Sequence, residues 1–143
     1  PAVNVEQYHV DILAANLVTH PDWFDVIVGT NLFGDILSDL GPATAGGIGV
    51  APSANINPDP GVPSMFEPVH GSAPDIAGQD IANPIAMIWT VVMMLEHLNE
   101  NDAATDLMSA LEAVTGEGKV MTRDLGGTAG TVEFTDRVLA ELG

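Results

Sequence analysis

Between Ile85 and Leu95 the chain reads IAMIWTVVMML, a run that is apolar on nearly every side of a helix and must therefore be buried. Asn83-Pro84 stands directly before it, a capping residue followed by proline at a first helical position, so the spacing predicts a helix from there to about Leu98. The run is about half the ~20 residues a bilayer span needs, which makes it a core helix and not a membrane span. A core helix needs other elements to cover it. With 143 residues, 46% of them hydrophobic, the chain has enough material for an ordinary domain core.

The covering elements are legible as short, punctuated segments. NVEQYHVDILAANLVTH reads as a helix over 4–19, with Asn4 and Gln7 in capping-box spacing and Val5, Tyr8, Ile12, Ala15 and Val18 at helical intervals before His20-Pro21. DVIVGT, 25–30, is a short β-branched strand, and FGDILSDL, 33–40, a second helix closed by Gly41-Pro42. From Gly46 the texture changes to Gly, Pro and Asn with short apolar runs. That stretch predicts a strand and loop leading to a strand over 64–67, and it places a domain boundary near Ala45. An amphipathic helix over 101–114, a loop over 122–130, and a last helix over 132–142 capped by Thr131 complete the chain. Short strands interspersed with helices make the fold class α/β, with a mixed sheet flanked by helices.

Charge limits the partners. Twenty Asp and Glu against three Lys and Arg give a net charge of −17, which repels nucleic acid and anionic membranes alike. The acids are spread from Glu6 to Glu141 and form no tail, so they read as the surface of a salt-adapted, halophilic protein. There is no cysteine, hence no disulfide and no thiolate metal site. No basic-then-apolar signal segment opens the sequence, and a cytoplasmic protein is expected.

Two segments carry candidate chemistry. In NLFGDILSD, Asp35 and Asp39 are four apart and so share a helix face. Two such carboxylates suit a hard divalent ion, Mg²⁺ or Mn²⁺, but the same pattern fits a solvated face or an acid favoured by the helix dipole. Asp11, set among Val10, Ile12, Leu13 and Ala14, is either a third ligand or a residue that faces water. In MFEPVHGSAPDIAGQDIANP, glycines allow close backbone approach, and the amides after His70 can face a pyrophosphate. Asp75 is suited to ribose hydroxyls and would repel a 2′-phosphate, or it is a turn former after Pro74. Glu67 and His70 can equally make loop hydrogen bonds, and Asn83 can simply cap its helix. No GxGxxG lies at a strand-to-helix turn, so the standard dinucleotide fold is not indicated. His9, His20 and His97 lack ligand spacing and read as structural.

Taken in order, NLFGDILSDL, MFEPVHGSAPDIAG, IANPIAMIW, MMLEHL and DLGGTAGT closely resemble the isocitrate and isopropylmalate dehydrogenase family, the metal-dependent β-decarboxylating dehydrogenases. LGPATAGGIGVAPSANINP followed by PSMFEP is most similar to its tartrate or D-malate dehydrogenase branch, with 3-isopropylmalate dehydrogenase the nearest alternative. The resemblance implies that Asp35 and Asp39 bind Mg²⁺ or Mn²⁺, joined by Asp11 from the other subunit of a homodimer paired through helices 4–19 and 33–44. It implies that His70, Gly71, Ser72, Ala73, Asp75 and Asn83 line an NAD site with Glu67 near the nicotinamide, Asp75 favouring NAD over NADP. Residues 1–45 would then belong to the metal-binding and dimerisation domain and 46–143 to the NAD-binding domain. The implied activity is oxidative decarboxylation of a 2-hydroxy diacid. The family's catalytic Lys and Tyr and its substrate-binding arginines match no position here: Tyr8, Lys119, Arg123 and Arg137 fall elsewhere. The expectation is the C-terminal part of a longer enzyme, inactive alone; the competing reading is a non-catalytic, dimerising or cofactor-binding fragment.

Overall fold

A computed structural model describes residues 3–59 and 61–143, which divide into two compact units, one ending at Ala45 and the other running from Gly46 to Gly143. The fold class is α/β, as expected.

In the first unit helix α1 (Val10–Thr19) packs against α2 (Asn31–Ala45). Helix α1 starts six residues later than the sequence suggests: residues 3–9 are not helical, and His9 stands at the N-cap with no side-chain cap. The Asn4–Gln7 box is thus not used. Val3 and Val5 are both 84% exposed, so the apolar positions of this stretch bury nothing that would support further helical turns. Tyr8 packs edge-on against Phe24 at 5.7 Å, and its hydroxyl donates to Glu6.

The DVIVGT segment is not a strand either. Its backbone has no sheet partner among the described residues, and Val26 and Val28 are 83% and 93% exposed. β-Branched composition favours an extended chain but cannot supply the neighbour that turns it into a sheet. Helix α2 runs past the predicted stop at Gly41-Pro42. Pro42 falls in the last turn, where its missing N–H removes one intrahelical bond, and the Thr44 hydroxyl donates to the Gly41 carbonyl at 2.7 Å.

The second unit holds the sheet and the main core. Strands β1 (Pro52–Asn55) and β2 (Met65–Pro68) form an antiparallel pair with Pro52 opposite Pro68 and Asn55 opposite Met65. Both lie against helix α3 (Ile85–His97), which carries the apolar run IAMIWTVVMML. Its Ile85, Ala86, Thr90 and Val92 are buried, while Met87 and Trp89 keep one side partly exposed. Helices α4 (Asn101–Glu117) and α5 (Thr131–Leu142) complete the packing. The core is Ile85 from α3, Ala110, Leu111 and Val114 from α4, and Phe134 and Val138 from α5. Helix α4 ends at Gly118, in the left-handed conformation.

Two of the three basic residues are engaged here. Lys119 and Arg137 both bind the Glu117 carboxylate, and Arg137 also reaches Glu141 at 2.8 Å. Lys119 first, then Arg137, hold the Glu117 carboxyl below the usual glutamate range. Among the described residues no helix is long and apolar enough to cross a membrane.

Candidate functional site

The turn-rich segment after β2 forms a cleft of about 420 Å³, lined among others by His70, Gly71, Ser72, Ala73, Asp80 and Thr131. The chain turns into it at Gly71, whose φ of +63° is strained for any residue with a Cβ. Ala73 is also left-handed, at φ 40°, and leads into a single 3₁₀ turn, Pro74–Ile76. His70 Nδ1 lies 2.8 Å from the Gly71 carbonyl oxygen, a contact that needs the proton on Nδ1. The loop's other bonds are local: the Ile76 amide donates to Ala73, Ala77 to Pro74 and Gln79 to Ile76, while Gln79 Nε2 donates to the Asp75 carbonyl.

Of the expected NAD residues, then, four stand together on the cleft wall. The other three lie apart from it. Asp75 is exposed on the 3₁₀ turn and is not among the residues that line the cleft. Glu67 is exposed on β2 opposite Ser53. Asn83 is only 8% exposed and works inside the fold: its Oδ1 accepts from the Ile85 amide at 2.9 Å, capping α3, and its Nδ2 donates to Asp124 Oδ2 at 2.8 Å.

Asp35 and Asp39 are both exposed on α2, one turn apart, as the spacing predicts. Asp11 is exposed in the first turn of α1, where the helix dipole favours an acid, and its Oδ1 accepts from the Ile12 amide at 2.8 Å. Among the described residues no three His, Asp or Glu side chains are gathered as a metal site. The pair on α2 is nevertheless of the right kind for a hard cation: exposed carboxylate oxygens on one face of a rigid element.

Sequence reasoning missed Asp80 and misassigned Thr131. Thr131 does not cap α5 with its own hydroxyl, which donates instead to the Ala82 carbonyl at 2.5 Å. The cap comes from Asp80, whose Oδ1 accepts from the Val132 amide at 2.9 Å. The only local hint is that Asp80 is the acid nearest a glycine-punctuated turn, and Asp tolerates the left-handed backbone it adopts, φ 54°. A larger, apolar cleft of about 560 Å³ lies elsewhere, between the 56–66 segment and the end of α3, and contains none of the expected residues.

The family model described as isocitrate/isopropylmalate dehydrogenase matches residues 1–138. The chain is 57% identical over 137 residues to tartrate dehydrogenase/decarboxylase of Pseudomonas putida, covering 92% of the chain and 37% of that protein. It is 51% identical over 143 residues to D-malate dehydrogenase [decarboxylating] of Escherichia coli (strain K12), covering 96% and 39%. Its structure superposes on isocitrate dehydrogenase from Methylococcus capsulatus with a TM-score of 0.87 at 45% identity, over 93% of the chain and 39% of that structure. The chain thus spans under two fifths of the length of these relatives.

Proposed function

This chain belongs to the isocitrate/isopropylmalate dehydrogenase family, and on that premise we propose that it serves the NAD- and divalent-metal-dependent oxidative decarboxylation of a 2-hydroxy diacid of the tartrate or D-malate type. The observation that carries the reading is the left-handed loop at Gly71–Ala73, which lines a cleft with backbone and small side chains in a protein too acidic to hold phosphate by surface cations. Identity above 50% to relatives named for tartrate and D-malate supports the choice of substrate class.

The residues divide by chemistry. Backbone amides of Gly71, Ser72 and Ala73 are suited to a pyrophosphate, because neutral donors bind it without adding charge to the cleft. His70 is held by the Gly71 carbonyl, so its Nε2 is free to face a ligand as an acceptor. Asp75, exposed on its turn, accepts from ribose hydroxyls and repels a 2′-phosphate, which selects NAD over NADP. Glu67 is assigned to the nicotinamide end, and Asn83, which caps α3 and holds Asp124, to the far side of the cofactor site. Asp35 and Asp39 hold Mg²⁺ or Mn²⁺, with Asp11 contributed by a second copy of the chain paired through α1 and α2. When bound, the cation supplies Lewis acidity at the 2-hydroxyl and its carboxylate, and NAD⁺ supplies the hydride acceptor.

The test is NADH formation by the protein as it occurs in its source, in high KCl with NAD⁺ and Mn²⁺, against D-malate, tartrate and 3-isopropylmalate. Turnover of D-malate or tartrate with matching CO₂ release is expected. Preference for 3-isopropylmalate would move the substrate to the sister branch, and no turnover of any of the three would refute the enzymatic reading.

A further inference from the structure

Helix α5 begins without a capping side chain of its own. Its N-cap position is Gly130, and the Thr131 hydroxyl is turned away to the Ala82 carbonyl. The orphan amides at this end are met by Asp80, from far earlier in the chain. The Asp80 carbonyl accepts from the Thr131 amide at 3.3 Å, and its carboxylate Oδ1 from the Val132 amide at 2.9 Å. The approach is close enough to dictate the residue opposite. A Cβ at Gly130 would stand 2.8 Å from the Asp80 carbonyl oxygen and closer still to its carboxylate, so only glycine admits the contact.

Asp80 is also the last residue of the cleft-lining loop. The loop's bonds between 70 and 79 are all local, spanning no more than four residues. Its entry is tied down by the Val69 amide, which donates to the Ala51 carbonyl at 3.2 Å. At its exit Asp80 holds the start of α5, and, two residues on, the Ala82 carbonyl accepts from the Thr131 hydroxyl, so the Asp80 carboxylate is the tie nearest the loop. Beyond that tie lies rigid material, because α5 carries Phe134 and Val138 into the core. The carboxylate holds a left-handed backbone, φ 54°, that Asp tolerates and most residues do not.

We propose that Asp80 is a positioning residue that caps α5 from outside the helix and thereby holds the 70–80 loop in its ligand-receiving shape. The consequence for affinity rests on the assignment of that loop to NAD. A loop clamped at both ends loses less conformational freedom when a ligand orders it, and that saving appears as tighter binding. With the exit released, the same amides must be ordered at the moment of binding.

Two variants separate the cap from the backbone. Asp80→Gly keeps the positive φ and removes the carboxylate; Asp80→Asn keeps an oxygen acceptor in a residue that also tolerates φ > 0. Hydrogen exchange at the amides of 71–78 and 131–134 is read for each in the protein as it occurs, alongside calorimetric titration with NAD⁺. Asp80→Gly is expected to lose about fivefold or more in loop protection and to raise the Kd for NAD⁺ by about fivefold, with Asp80→Asn within about twofold of the parent. Loss of protection confined to 131–134, with 71–78 and the Kd unchanged, would overturn the proposal and leave the cap a property of α5 alone. Asn behaving as Gly would overturn it equally. If the unmodified protein takes up no NAD⁺, the cofactor assignment of the loop fails, while exchange at 71–78 still decides the clamp.

Discussion

Thr122 sits at 0% exposure with its hydroxyl unmatched by any partner among the described residues. Its carbonyl accepts from the amides of Leu125 and Gly127, which fixes the turn of the DLGG segment. The hydroxyl therefore adds a desolvation cost to a position that only needs β-branched bulk. Thr122→Val removes the orphan group and keeps the shape, and is expected to stabilise the protein by about 1 kcal/mol, or roughly 3 °C in Tm. A lower Tm would show that the hydroxyl finds a partner. Asn83 teaches the opposite lesson at the same scale. Its capping role was readable from Asn83-Pro84, but its bond to Asp124, 41 residues away, was not.

At the scale of elements, what was legible followed from local pattern. The apolar run gave α3, the amphipathic spacing gave α4, and Gly118 marks where α4 ends. The strand over 64–67 appears as β2, with β1 in the Gly- and Pro-rich stretch before it. What failed depended on partners or on competition. Residues 3–9 have helical spacing but leave Val3 and Val5 exposed, and without a packed face the helix does not extend to them. Residues 25–30 had the composition of a strand and no neighbour to pair with. Gly41-Pro42 looked like a stop, yet a proline in the last turn removes a single bond and α2 absorbs it. The start of α5 was misjudged because its cap is not local at all: no window around Thr131 contains Asp80. The same division runs through the candidate site. The short-range sets, His70 to Ala73 on the cleft wall and the Asp35–Asp39 pair on α2, each appear together, whereas the bond from the start of α5 to Asp80 spans too much chain for local pattern to show.

For the whole molecule the governing quantity is charge. Two of the three basic residues gather on Glu117, which leaves most of the twenty acids without a cation close by and the net charge at −17. Self-repulsion of that size is screened over about 10 Å at 0.1 M salt and about 3 Å at 1 M, so stability should depend on ionic strength. Tm is expected to rise steeply with KCl over this range, and a flat response would remove the halophilic reading of the composition. The local ion pairs act in the other direction with pH. Because Glu117 titrates below the ordinary glutamate range when folded, the support it gives is present above the unfolded value and is lost as pH falls through the folded one.

The central claim is that the exposed pair on α2 holds the metal of an NAD-linked oxidation, and one substitution addresses it directly. Asp35→Asn removes a charged oxygen ligand from an exposed helix position with little reason to disturb the fold. NADH formation from D-malate or tartrate is to be followed across a Mn²⁺ series in the parent and in Asp35→Asn. The prediction is a loss of about a hundredfold or more at a given Mn²⁺ concentration, partly recovered as Mn²⁺ is raised, with Tm unchanged. Equal rates and equal Mn²⁺ dependence in the two proteins would contradict it.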